Sequence, residues 1–175
     1  HDPYNLITCE AEGSEIGAHG VTFLPFLGGA SGARQNPDAR ANFNGMSLAT
    51  TKKDIARAVL EGICFEMKDI VKSQLAAGIE IETVRLVGGA AKSPFWSQML
   101  ADILGLPIEI LATQEAGCLG AAMYAGVGAG LFESCDVAAK RAVKVVRRYE
   151  PDADTADPYE EAFVRFVELY EGVYA

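Results

Sequence analysis

Only two histidines, His1 and His19, occur in the 175 residues, and the four cysteines, Cys9, Cys64, Cys118 and Cys135, form no CxxC pair. A zinc or iron–sulfur centre needs a denser set of such ligands, so none is expected, and the thiols read as reduced core residues of a cytoplasmic protein. Cations are also short: 15 Lys and Arg stand against 24 Asp and Glu, a net charge of −9. With no concentrated basic surface expected, nucleic acid and anionic membranes are poor partners, whereas a small anion held by a few backbone amides stays compatible. One run without charge, residues 116–132, is rich in Gly and Ala, slightly short for a bilayer, and followed by Glu133 and Asp136. It is expected to form a buried, close-packed helix rather than a membrane span. No signal peptide is visible. The chain opens HDPYN without a methionine and is expected to be a piece of something longer.

What is present suits one globular domain with a real core: half the residues are hydrophobic and 22% are charged. Asp2 and Pro3 have the residue types of a helix cap and first position. The apolar segment VTFLPFL contains Pro25, which restricts it to an edge strand or extended segment, and the Gly/Asn/Arg-rich stretch after it reads as a long surface loop. From Thr50 a long helix follows, with Ile55, Val59, Ile63, Met67 and Ile70 on one face and Lys53, Arg57, Glu61, Lys68 and Lys72 assigned to the outside. Thr50 or Thr51 caps it and Gly78 ends it. Residues 81–87 and 107–111 read as strands, and residues 94–104, capped by Ser93 and closed by Gly105, as a helix. Helices are expected over about 116–131 and 136–142, then an extended VKVVRRY. A last helix from about Asp157 carries Tyr159, Phe163, Phe166, Tyr170 and Val173 along one face. This alternation implies an α/β layer arrangement with parallel strand neighbours and two to four strands in all.

The segment VRLVGGAAKSPFW places the turn Gly88-Gly89-Ala90-Ala91-Lys92-Ser93 between a strand and a helix start. In open α/β sheets ligands sit at such carboxyl ends, glycines admit positive φ and close approach, and helix amides favour anions. The same turn is also an ordinary way to reverse a chain. It is neither a Walker P-loop, since Ala91 precedes Lys92, nor G-x-G-x-x-G. Lys92 has the reach for a phosphate or for solvent alone, and Ser93 is first a cap. Elsewhere, GVGAG at 126–130 reads as a helix terminator and Glu115 as a helix-start carboxylate. Arg57 and Glu61 read as a surface i,i+4 pair, and Arg34, Asp38 and Arg40 as solvated loop charges within reach of a substrate.

Four segments in order carry a resemblance: FLPFLGGASGARQNPDARANFNGMSL; residues 41–61, with Gly45-Met46, Asp54-Ile55 and the run from Ala58 to Glu61; VRLVGGAAKSPFWSQMLADILGLPI; and EAGCLGAAMYAGVGAGLF. Together they resemble the C-terminal domain of the FGGY family of carbohydrate kinases, the group of xylulokinase, gluconokinase and glycerol kinase. The resemblance implies the C-terminal half of an actin-like, ribonuclease-H-like ATPase fold, incomplete at its N-terminus, with ATP held in a cleft. By position it implies that Gly88, Gly89 and Ala90 lie against the nucleotide, with Gly89 and Ser93 in direct contact and Lys92 beside them. Glu61 and Gly45 are implied to be structural. The loop after Pro25 reads Gly28-Gly29-Ala30 where many relatives have Gly-Glu-Arg.

The resemblance further implies that the catalytic aspartate, the sugar-binding residues and a first phosphate turn lie upstream, so that these 175 residues alone are inactive. The expected reaction is transfer of the γ-phosphoryl group of ATP, with Mg2+, to a hydroxyl of a sugar, a pentulose such as xylulose. The sugar would be met through the N-terminal domain, in the cytoplasm, with a homodimer among the open oligomeric states. The alternative is a non-catalytic actin-like nucleotide-binding or assembly module.

Overall fold

A computed structural model describes residues 3–113 and 115–174. Helix α1 (Pro3–Glu12) begins on Pro3; the expected cap Asp2 lies outside the described residues. A short antiparallel pair follows, β1 (Thr22–Leu24) with β2 (Asn42–Asn44), then the long helix α2 (Lys52–Ala76). The main sheet has the order β3-β4-β5, from β3 (Val84–Leu86), β4 (Ile108–Leu111) and β5 (Val145–Tyr149). Helix α3 (Pro94–Leu104) joins β3 to β4 in a parallel crossover, and α4 (Ala116–Gly128) and α5 (Cys135–Ala142) lead to β5, which runs antiparallel to β4. Helix α6 (Ala156–Tyr174) closes the fold. The described strands thus number five in two sheets, more than the two to four expected, and the parallel expectation holds only for β3 and β4.

Local chemistry sets the helix ends as expected. Thr51 caps α2 through a capping box, its hydroxyl accepting from Asp54 N while the Asp54 carboxylate accepts from Thr51 N. Gly78 takes φ 82° just after α2, and Gly105 takes φ 64° after α3. The α4 terminus is tied back by Leu131 N–H donating to the Gly126 carbonyl at 2.8 Å.

The core forms where α6 meets β1, α2 and α3. Phe26, Phe65, Phe163, Phe166 and Tyr170 are buried together with Leu24, Met99, Ile103 and Ile108. Phe26 and Tyr170 meet edge-to-face at 5.3 Å between ring centroids. Val173, expected on that face, is exposed.

Four expectations are corrected here. The covered face of α2 is not the Ile55 stripe. Ala58, Leu60, Glu61, Cys64 and Phe65 are buried, while Ile55, Val59 and Ile63 are half-buried and Met67 is exposed. The reason is contact with β1, where α2 comes so close that a Cβ on Gly62 would collide with the Phe23 carbonyl. Secondly, α4 is not a buried helix: only its Gly126 is buried, because among the described residues it packs chiefly on α5. No helix among the described residues is long and apolar enough to cross a membrane. Thirdly, only Cys64 is a core thiol; Cys9, Cys118 and Cys135 are free and exposed. Fourthly, cations do concentrate locally, since residues 140–148 hold Lys140, Arg141, Lys144, Arg147 and Arg148 with no acid among them. Arg148 is neutralised by Glu109 and Glu150.

Candidate functional site

The turn after β3 lies at the carboxyl end of the parallel pair. Gly88 has φ 80°, a left-handed backbone that an L side chain adopts at a cost of about 1–2 kcal/mol. Gly89, by contrast, is right-handed at φ −61° and ψ −43°, so its lack of a side chain concerns space. A Cβ at Gly88 or Gly89 would meet nothing within 4 Å, so this corner faces open volume. Residues Ala90–Lys92 form one 3-10 turn, and Ser93 then caps α3, its hydroxyl accepting from Trp96 N–H at 3.2 Å, with Pro94 in the first helical turn. That bond uses an acceptor site of Ser93 and leaves its O–H proton free to donate.

The corner opens on a cavity of about 260 Å³ lined by Gly89, Lys92, Ser93 and Trp96, by Asn5, Ile7 and Thr8 of α1, and by Val59, Leu60 and Ile63 of α2. Its walls are mostly apolar, with Ser93, Lys92 and the α1 polar groups at defined points. Among the described residues no carboxylate lines it. Trp96 donates its indole N–H to Cys64 Sγ at 3.2 Å, which fixes the ring plane against the cavity. Burial pushes the Cys64 thiol up to about 12, so it stays protonated and inert.

Of the five residues singled out in the sequence, Gly89, Lys92 and Ser93 share this cavity. Gly88 shapes the turn without lining it, and Ala90 packs against the core. Lys92 is exposed and also borders a second depression with Ala91, Ile110, Arg147 and Tyr149. The two loop arginines are engaged internally, Arg34 making two hydrogen bonds to Asp69, at 2.7 and 3.4 Å, and Arg40 donating to the Pro37 and Ala39 carbonyls, while Asp38 is exposed. Glu115 precedes α4 without a side-chain capping bond.

Arg57 and Glu61, expected as a surface pair, belong to a buried ionic cluster. Arg57 is 5% exposed and Glu61 2%. The Arg57 guanidinium donates to Glu61 Oε1 at 2.7 Å, to the Ser14 carbonyl at 3.1 Å and to the Tyr159 hydroxyl at 2.7 Å, and Gly17 N–H also donates to Glu61, at 3.0 Å. Burial raises the Glu61 carboxyl above its ordinary range, against the pull of Arg57. One turn earlier, Asp54 accepts from Ser14 Oγ at 2.6 Å and bonds His19 Nδ1 at 2.9 Å. The Ser14 hydroxyl and the Thr51 donors hold Asp54 far below the usual carboxylate range, and Asp54 in turn raises His19. These carboxylates pin residues 17–20, all four at positive φ including Ala18 and His19. The signal in the sequence was Gly62: a glycine inside a helix is about 1 kcal/mol worse than alanine, so it marks a face under close approach, next to Glu61.

The decisive comparison is a sequence model described as "FGGY family of carbohydrate kinases, C-terminal domain", which matches residues 6–129. The chain belongs to the FGGY family. Among curated relatives, the xylulose kinase of Staphylococcus epidermidis is 37% identical over 164 residues, 94% of this chain and 32% of that protein. The glycerol kinase of Citrifermentans bemidjiense is 38% identical over 136 residues, 77% of this chain and 27% of its own. The crystal structure of ligand-bound xylulose kinase from Lactobacillus acidophilus superposes with a TM-score of 0.87 at 27% identity, covering 97% of this chain and 34% of that one. Plasmodium falciparum glycerol kinase with ADP gives 0.76 at 30% identity, covering 94% and 33%. The FGGY chain therefore has the actin-like ATPase fold of these kinases and spans about a third of their length.

Proposed function

We propose that this FGGY chain is the nucleotide-facing part of an ATP-dependent kinase that phosphorylates a hydroxyl of a pentulose such as xylulose, in the cytoplasm. The observation that carries the reading is the unobstructed Gly88-Gly89 corner opening on a largely apolar cavity. Such a cavity takes a flat base, while polar groups at its mouth orient the rest of the nucleotide. Gly89 lets the ligand approach the backbone, Ser93 has a hydroxyl proton to donate, and Lys92 supplies positive charge at the rim. Trp96 forms a rigid wall. In phosphoryl transfer the protein mainly positions reactants and stabilises charge, and an acid–base residue takes the hydroxyl proton.

This chain's contribution is binding and orientation. Among the described residues no carboxylate lines the cavity, so these residues do not fit as a cage for Mg2+, which in this reading arrives as part of MgATP. The base for the sugar hydroxyl and the sugar contacts then belong to the N-terminal part of a longer kinase, and the 175 residues alone transfer no phosphate. The xylulose kinase relative matches 94% of this chain against 77% for the glycerol kinase, which supports a pentulose over a polyol.

Trp96 is the only tryptophan of the chain and lines the cavity, so titration with ATP is read directly from its emission. A saturable change with ATP, abolished in Gly89→Asp, is expected. An emission spectrum indifferent to ATP, together with an unshifted melting temperature, refutes nucleotide binding by this chain.

A further inference from the structure

Trp96 lines the cavity at Gly89 with its one polar side-chain atom engaged behind the wall. The ring stands beside Gly89, Lys92 and Ser93, whereas its indole N–H donates at 3.2 Å to Sγ of Cys64, a residue with no exposed surface. Cys64 follows Ile63 directly and Leu60 by one helical turn; both of those line the cavity and Cys64 does not. The main chain of Trp96 is held as well, its N–H donating to Ser93 Oγ at 3.2 Å. Its neighbour Phe95 lies under the Arg57 guanidinium, 5.4 Å from the ring centroid. These contacts fix where the Trp96 side chain begins and leave its torsions to be set by what the indole itself meets. Among the described residues Cys64 Sγ is the only acceptor of the indole N–H.

We propose that Cys64 is a positioning residue for nucleotide binding: its sulfur, acting as a hydrogen-bond acceptor, sets the indole of Trp96 as a wall of the cavity before the base arrives. The inference rests on the reading above that this cavity takes a nucleotide. An indole N–H buried without an acceptor pays its full desolvation cost, so without Sγ the ring is driven to turn that N–H toward the water of the cavity. A ring so turned occupies space the base needs. Only the fraction of molecules with the wall in place then binds, and the apparent affinity falls by that fraction. The chemistry of the thiol suits the task. Burial pushes Cys64 up to about 12, so the acceptor stays neutral at any working pH. A carboxylate in its place would hold the N–H more firmly, yet would set a negative charge behind the seat of an anionic ligand.

The 175-residue chain, with Trp96 as its only tryptophan, provides the test. Cys64→Ala removes the acceptor, and Cys64→Ser, of nearly the same volume, keeps one. By calorimetry the affinity for ATP is expected to fall about tenfold in Cys64→Ala, the scale of one lost hydrogen bond, and to stay within about threefold of wild type in Cys64→Ser. In the ligand-free chain Trp96 of Cys64→Ala should emit further to the red and be quenched more readily by acrylamide, with serine restoring both signals. Equal ATP affinities for all three proteins overturn the proposal. So does equal weakening in both variants, which reduces Cys64 to core packing. Should Cys64→Ala fail to fold, Cys64→Val fills the site without supplying an acceptor and gives the same comparison with serine. Quenching in the acceptor-free variant identical to wild type overturns the proposal whatever ATP does. Wild type that binds no ATP, with quenching that follows the acceptor as expected, sinks the nucleotide reading and leaves Cys64 as the holder of Trp96.

Discussion

Replacing Glu61 by leucine should unfold this domain far more readily than an ordinary surface substitution. The carboxylate accepts two hydrogen bonds, from Arg57 Nε and Gly17 N–H, in a site where both charged residues are almost fully buried. Its removal strands the guanidinium in low dielectric with the Ser14 carbonyl and the Tyr159 hydroxyl as its remaining hydrogen-bond acceptors among the described residues. Breaking a buried pair from one side costs about 3–5 kcal/mol. It also frees the amide that anchors the strained residues 17–20. At roughly 2–4 °C per kcal/mol for a chain of this size, the melting temperature should fall by about 6–20 °C. Glu61→Gln keeps an acceptor for one donor and should cost less. Arg57→Met with Glu61→Leu removes both charges and should recover most of the loss, giving a coupling energy of several kcal/mol in a urea-melt double-mutant cycle. If Glu61→Leu costs about 0.5 kcal/mol or less, as exposed i,i+4 pairs do, the buried-network reasoning is refuted.

Further outcomes concern the turn, the acid limb and the thiols. Gly88→Ala should lose about 1–2 kcal/mol to its left-handed backbone, whereas Gly89→Ala should fold as well as the parent or better, and equal melting temperatures for the two contradict the assigned conformations. Asp54 has a depressed folded-state pKa, so its contribution is present above the unfolded value of about 4 and is lost as pH falls below it. The melting temperature of wild type should therefore drop more steeply between about pH 4 and 3 than that of Asp54→Asn, and parallel curves would remove Asp54 as the cause. Under native conditions a thiol reagent should modify Cys9, Cys118 and Cys135 quickly and Cys64 only on unfolding, and a fast fourth thiol would contradict its burial.

Much of this was legible along the chain. The capping box at Thr51, the Ser93-Pro94 start of α3, the glycines after α2 and α3, and the buried Tyr159-Phe163-Phe166-Tyr170 face of α6 each depend on residues within one or two turns of one another. So does the strand–glycine–helix corner, whose residue order is enough to mark it. The Arg57–Glu61 pair was legible only as a spacing, because i,i+4 holds equally for a solvated pair and a buried one.

The sequence by itself determined where the helices begin and end and where the glycine corner falls, since those choices are made by local backbone and capping energies. Only the tertiary structure decided which flank of α2 is covered, that β5 joins the sheet antiparallel, and that Arg57 and Glu61 are inside. With both flanks of α2 apolar, the choice between them rests on what the rest of the chain brings alongside. Here β1 approaches Gly62 and α6 delivers Tyr159 to Arg57, contacts made across about forty and one hundred residues that no local pattern encodes.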